Sequence, residues 1–217
     1  MAQRAALFDL DRTLVRVNTT SLYVRYQRDA GQATWRDSLR MAVWLARYTV
    51  GMIDAQAVAE KALAAFAGQS EAAMIEDCVK CYAKYIHEHV SDQGRAAVAK
   101  HREAGDLVAI VTGTTPYAAE PVARELGIEH IVCTRLEVAD GLFTGKVHKP
   151  LAYAHGKVVL TELLAQQLGF ALEDCAFYTD SITDLPLLER VRQPVAVNPD
   201  PRLRRIAAKR GWPIEIW

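Results

Sequence analysis

From Ser91 onward, short unbroken apolar runs alternate with stretches of helical period, and this alternation restricts the fold more than any other feature of the chain. The run Leu107 to Val111, closing on Thr112, has no polar interruption and follows the turn Gly105-Asp106. That is the pattern of a strand buried on both faces of a parallel sheet. His130 to Cys133, Cys175 to Thr179, Pro194 to Val197 and Ile214 to Ile216 read as further strands. Helices are expected from Ser91 to Ala104, Pro116 to Leu126, Gly156 to Leu168, about Asp184 to Val191, and Pro201 to Arg210. Gly127 and Gly169 stand where two of them should stop. Arg135 to Val147 resembles a hairpin turned at Asp140-Gly141. Strands joined by crossover helices make an α/β fold, a doubly wound parallel sheet with helices on both faces.

One more strand, about Arg4 to Leu10, opens the chain and is separated from the rest by a long block without a convincing strand. Val17 to Val90 reads as four helical pieces. Asn18-Thr19-Thr20 would cap the first, through Arg28, and Thr34 the second, through about Tyr48. Asp54 starts a third, through Phe66, and Ser70-Glu71 a fourth, through about His89. The expected division is residues 1–16 with 91–217 as the core and residues 17–90 as an inserted all-helical cap.

The charges cancel, with 26 basic and 26 acidic residues. With no basic stripe either, nucleic acid is not an expected partner. The most apolar helical stretch, Met41 to Ile53, contains Arg47 and falls short of the roughly 20 residues of a membrane span. Four cysteines make no disulfide framework, and the first residues show no signal-peptide core, so a cytoplasmic location is expected.

In an open parallel sheet, ligands sit outside the carboxyl ends of the strands. Polar residues recur at those ends. Asp9-Leu10-Asp11-Arg12-Thr13 closes the first strand with two acids two positions apart, whose crowding calls for a cation, a shared proton or both. Thr112-Gly113-Thr114-Thr115 offers a hydroxyl, a small residue and the free N–H groups of a helix start, which suit an anion. Asp180 and Asp184 follow the Cys175 strand and could complete the shell of a hard cation, with a turn and a helix cap as their ordinary alternatives. Lys157 opposes the dipole at its helix start, which makes sense if it faces a phosphate. Lys146 and Lys149 compete for that part.

With these residues in this order, the chain resembles the haloacid dehalogenase superfamily of phosphatases, whose four motifs match Asp9-x-Asp11-x-Thr13, Thr112, Lys157 and Asp180-xxx-Asp184. A helical cap directly after the first motif is similar to the phosphoserine-phosphatase-like subfamily. Asp184-Leu-Pro-Leu-Leu, Val197-Asn-Pro-Asp-Pro-Arg-Leu and Gly211-Trp-Pro-Ile resemble small bacterial members, some of which hydrolyse histidinol phosphate. The resemblance implies Asp9 as nucleophile and Asp11 as acid and base. It implies Mg2+ on the side chains of Asp9 and Asp180 and the carbonyl of Asp11, with Thr112, Gly113 and Lys157 on the phosphoryl oxygens and Asp184 in support.

Arg12 stands where phosphoserine phosphatases carry a small residue, and Thr112-Gly-Thr-Thr replaces their Gly-rich second motif. Those departures argue against phosphoserine, and the resemblance to the small bacterial members implies L-histidinol phosphate as the first expected substrate of a small-metabolite phosphatase acting as monomer or homodimer. Phosphoserine, another small phosphate ester or phosphotransfer to an alcohol is the alternative. A phospho-acceptor signalling module would share the acids, hydroxyl and lysine but has no use for Asp11 or for a cap.

Other features are weighed against plain packing. Cys78-x-x-Cys81 lies on an expected helix with no second pair, so core cysteines are expected there rather than zinc. His155 could approach the site. Trp44, Tyr48 and Met52 suit cap packing or a dimer contact, and Arg16, Asn18, Tyr23 and Arg25 are candidates for specificity.

Overall fold

A computed structural model describes residues 3–31 and 63–217. The helix expected from Thr34, most of the one expected from Asp54, and Trp44, Tyr48 and Met52 lie outside the described residues. Among the described residues, six strands form one sheet in the order β3-β2-β1-β6-β7-β8. They are β1 (Ala5–Phe8), β2 (Leu107–Val111), β3 (His130–Val132), β6 (Ala176–Thr179), β7 (Gln193–Val197) and β8 (Ile214–Glu215). All five pairings are parallel. The first strand is central, with Ala5 opposite Leu107 on one side and Ala6 opposite Ala176 on the other.

Alternation along β1 divides the core. Ala5 and Leu7 face one apolar layer with Phe177, Val158, Leu187 and Leu203. Ala6 and Phe8 face another with Ile110, Val98, Val122 and Leu126. Helices α3 (Asp92–Glu103) and α4 (Pro116–Leu126) supply the second layer. The first layer comes from α5 (His155–Leu168), α6 (Leu185–Leu188) and α7 (Pro201–Arg210). Both faces of the sheet are thus covered, which is why its strands read as unbroken apolar runs. The helix expected over 184–191 is shorter than its sequence suggests: a 3-10 turn, Ile182–Asp184, precedes the four residues of α6.

Between β1 and α3 lie α1 (Thr19–Asp29), capped by Asn18, and α2 (Glu71–Cys81), capped by Ser70. The helix expected to run on to about His89 changes character after Cys81. It becomes a π turn, Tyr82–Ile86, and then a 3-10 turn, His87–His89. The two crossings between sheet and insert pair with each other. Val15 bridges Val90, the Arg16 amide donates to the His89 carbonyl at 2.9 Å, and the Ser91 amide donates to the Leu14 carbonyl at 2.8 Å.

The hairpin, β4 (Leu136–Ala139) and β5 (Leu142–Val147), turns at Asp140 and Gly141 with φ of 51° and 75°, the left-handed pair of a tight two-residue turn. It packs on the insert: the Gly68 amide donates to the Phe143 carbonyl at 2.8 Å and the Glu71 amide to the Gly141 carbonyl at 3.0 Å. Met74, Cys78, Tyr117, Leu136 and Phe143 make a third apolar cluster there.

Candidate active site

The carboxyl ends of β1, β2 and β6 lie side by side, and Asp9, Thr112 and Asp180 immediately follow them. The Asp9 amide continues the ladder by donating to the Tyr178 carbonyl at 2.8 Å, so its position is fixed by the sheet. Asp9 is only 6% exposed.

Lys157 reaches this end from the first turn of α5. Its Nζ donates to Asp9 Oδ1 at 2.8 Å and to Asp184 Oδ2 at 2.7 Å. Thr179 Oγ1 donates to the same Asp184 oxygen at 2.6 Å. Lys157 is 3% exposed, and the ring of Phe177 lies 5.9 Å from Nζ. Burial alone would strip its proton, but Asp184 and Asp9 overcome that and hold the ammonium pKa above its ordinary value. Lys146, the competing lysine on β5, is exposed and 3.8 Å from Glu137. Asp184 makes no side-chain cap on α6. Its carboxylate instead serves Lys157 and Thr179.

Asp180 is buried beside this group, with Arg12 Nη1 at 4.0 Å from its Oδ2. Its carbonyl accepts from the Asp200 amide at 2.8 Å, and Asp200 Oδ2 accepts from the Ile182 amide at 2.7 Å, which braces the loop. Burial, then the charges of Asp9 and Asp184, push the Asp180 carboxyl up to about 8. Burial, opposed by Lys157 and aided by Asp184, pushes Asp9 up to about 7. Three carboxyl groups, Asp9, Asp180 and Asp184, thus gather around one buried ammonium.

Asp11 faces the start of α1. Its Oδ1 accepts from the Thr19 amide at 2.7 Å and its Oδ2 from Asn18 Nδ2 at 3.3 Å. Burial raises its pKa, with the Thr19 hydrogen bond acting against that. Thr112 is buried, and its hydroxyl accepts from the Thr114 amide at 3.3 Å rather than meeting the aspartates. Gly113 lies where a Cβ would stand 3.4 Å from the Ala152 carbonyl, so the second loop passes close to the chain before α5. His155 is exposed at the start of α5.

The surplus of oxygen donors suits a hard divalent cation. No group of three or more His, Cys, Asp or Glu side chains among the described residues is arranged to hold a metal. Asp9 and Asp180 are two buried carboxylates at the ends of adjacent strands that could contribute to such a site.

Several contributors escaped sequence reasoning. Thr179 was readable only as the end of a strand, although a hydroxyl closing an apolar run next to two acids is a usable signal. Nothing local marks Asn198, whose Nδ2 donates to the Arg12 carbonyl at 3.1 Å. A second, half-buried network sits away from Asp9 and Asp180: His101 lies 2.8 Å from Asp106 Oδ2 and 2.9 Å from the Tyr178 hydroxyl. Cys78 and Cys81 are buried and free. Of the specificity candidates, Arg16 donates to the Glu88 carbonyl at 2.9 Å, and Arg25 pairs with Asp29 at 3.8 Å. Tyr23 meets the sulfur of Met74 at 3.2 Å.

The family model described as haloacid dehalogenase-like hydrolase matches residues 6–189. A histidinol-phosphatase of Neisseria meningitidis is 34% identical over 215 residues, which span 96% of this chain and 96% of that protein. A phosphoserine phosphatase of Mycobacterium tuberculosis is 34% identical over 214 residues, spanning 97% of this chain and 70% of that one. A crystal structure from Bordetella pertussis, of a protein with unknown function, superposes with a TM-score of 0.90 at 34% identity and covers 99% of both chains.

Proposed function

Because the chain belongs to the haloacid dehalogenase-like hydrolases and is a phosphatase of that family, we propose that it hydrolyses the phosphomonoester of a small metabolite by way of an aspartyl-phosphate on Asp9, with L-histidinol phosphate as substrate. The observation that carries this reading is the Asp9 carboxylate, buried at the end of the central strand and held by an ammonium that Asp184 holds in turn.

In the proposed reaction an Asp9 oxygen attacks phosphorus as the ester oxygen departs. Asp11, whose burial favours the protonated carboxyl, gives its proton to the leaving alkoxide. It then takes one from the water that attacks the acyl phosphate, which releases phosphate and restores Asp9. Lys157, Thr112 and the Gly113 amide bind the phosphoryl oxygens as their charge redistributes. The side chains of Asp9 and Asp180 with the Asp11 carbonyl would hold Mg2+, which would offset repulsion between the carboxylates and the phosphate.

Residues 17–90 act as the cap in this reading, supported by the paired crossings at Val15 and Val90. Histidinol phosphate is supported by the end-to-end match to the Neisseria protein. The Mycobacterium relative makes phosphoserine the second candidate. No helix of the described residues is long and apolar enough to cross a membrane, and all four cysteines are free. A cytoplasmic enzyme, monomeric or dimeric and without a nucleic-acid partner, belongs to the same proposal.

The test is phosphate release from histidinol phosphate, phosphoserine and p-nitrophenyl phosphate, with Mg2+ and with EDTA, by the natural chain and by Asp9→Asn. Release that needs Mg2+ and vanishes in Asp9→Asn is expected. Full Mg2+-dependent turnover by Asp9→Asn would refute the assignment of the nucleophile.

A further inference from the structure

Two residues with side chains adopt left-handed backbone in one place: Arg12, with φ of 58°, and Asn198, with φ of 43°. Such conformations are costly without glycine, persist only where the surroundings enforce them, and cluster at functional sites. Arg12 lies between Asp11 and Thr13, and its carbonyl accepts from Asn198 Nδ2 at 3.1 Å. The other end of the Asn198 amide is also fixed, because its Oδ1 accepts from the backbone N–H of Trp217 at 2.9 Å. A flipped amide would set donor against donor and acceptor against acceptor, so Trp217 determines which face Asn198 shows to Arg12.

Both partners are anchored. Asn198 follows β7, and its own amide donates to the Glu215 carbonyl at 2.9 Å. The Trp217 ring lies 5.6 Å from that of Tyr178 and 6.5 Å from that of Phe8, and it stands 3.4 Å from where a Cβ on Gly94 would be. The chain from β7 to Trp217 thus forms a brace from the far side of the sheet to the loop after β1.

We infer that Asn198 is a positioning residue: oriented by Trp217, it clamps the Arg12 carbonyl and so fixes the turn that presents Asp11 and sets Arg12 beside Asp180. This rests on the proposed function only for its catalytic consequence, since the clamp itself is a matter of backbone geometry. The hydrogen bonds under its control are those of Arg12 to Val17 at 3.3 Å and of Val15 to Leu10 at 2.9 Å. Angular error in the Asp11 peptide disturbs the presented carbonyl more than the binding of the phosphate ester, so kcat should carry the effect.

Asn198→Gly tests the clamp, because glycine accepts the left-handed backbone and deletes only the amide. Amide exchange over residues 12–15 should accelerate about tenfold or more. With p-nitrophenyl phosphate and Mg2+, kcat should fall about tenfold or more while KM stays within about twofold. Unchanged exchange together with kcat within about twofold of the natural chain would overturn the inference. Should Asn198→Gly not fold, Asn198→Asp decides, since it keeps an acceptor for Trp217 and turns a second acceptor toward Arg12; the same changes are expected and the same constancy overturns it. Faster exchange in a protein whose natural chain releases no phosphate would uphold the clamp and sink the functional reading instead.

Discussion

Replacing Lys157 by Met removes the single ammonium that two buried carboxylates share and leaves a side chain of similar length. Packing then changes little, and the loss is electrostatic. The natural Nζ sits 2.8 Å from Asp9 and 2.7 Å from Asp184. Breaking a buried pair by deleting one partner costs about 3–5 kcal/mol, because the remaining charge is uncompensated. In a chain of this length each kcal/mol is worth about 2–4 °C, so the metal-free variant should melt roughly 6–20 °C lower near pH 8.

The pH dependence carries a definite sign. Lys157 pulls the Asp9 carboxyl down, yet burial still leaves it at about 7 against an ordinary 3.8. Without Lys157 it rises further, so the folded variant keeps a proton that the unfolded chain releases. Stability then falls as pH rises through that window. The deficit should therefore be small in acid and widen above neutral pH. Calorimetry without metal at about pH 6 and about pH 9 reads it. A variant that melts within about 2 °C of the natural chain at the higher pH, or whose deficit is larger in acid, would refute the reasoning.

Magnesium should matter more as pH rises. Asp9 and Asp180 are held at about 7 and about 8, so the metal-free fold is favoured by their protonated forms and loses stability from the unfolded value of 3.8 up through those values. The melting shift on adding Mg2+ should consequently grow from about pH 5 to about pH 8, and an equal shift at both ends would contradict the assignment of these two acids. Gly156→Ala should be severe, since its Cβ would stand 1.9 Å from the Leu151 carbonyl oxygen. A loss of about 1–3 kcal/mol or more in thermal melts is expected, with lower kcat because Lys157 is the next residue. Thr179→Val keeps the volume and removes the donor to Asp184; about 1–3 kcal/mol should be lost in urea unfolding, and no loss would show that the hydroxyl bond is idle.

Local chemistry made much of the fold legible. Gly127 and Gly169 stop α4 and α5 with φ of 62° and 74°, as the placement of glycine after an apolar period implies. The run from Leu107 to Val111 is a parallel strand because nothing in it is polar. What could not be read is what distance in sequence conceals. Lys157 meets Asp9 across a separation of 148 residues and Asn198 meets Arg12 across 186, and no local pattern encodes either contact. Asp184 illustrates the competition: a residue suited to capping a helix is drawn instead to an ammonium and a hydroxyl. The π turn at Tyr82–Ile86 likewise has no signal in its own residues, which suit an ordinary helix.

The central position of β1 has a consequence for how the molecule is made. Ala5 to Phe8 are translated well ahead of the neighbours they pair with, Leu107 to Ile110 and Ala176 to Tyr178. This apolar segment therefore stays unpaired in the sheet until residues 107–110 and 176–178 exist. The sheet cannot close on both sides of β1 before β6 has been made, and Asp9 at the tip of β1 is set in place only then.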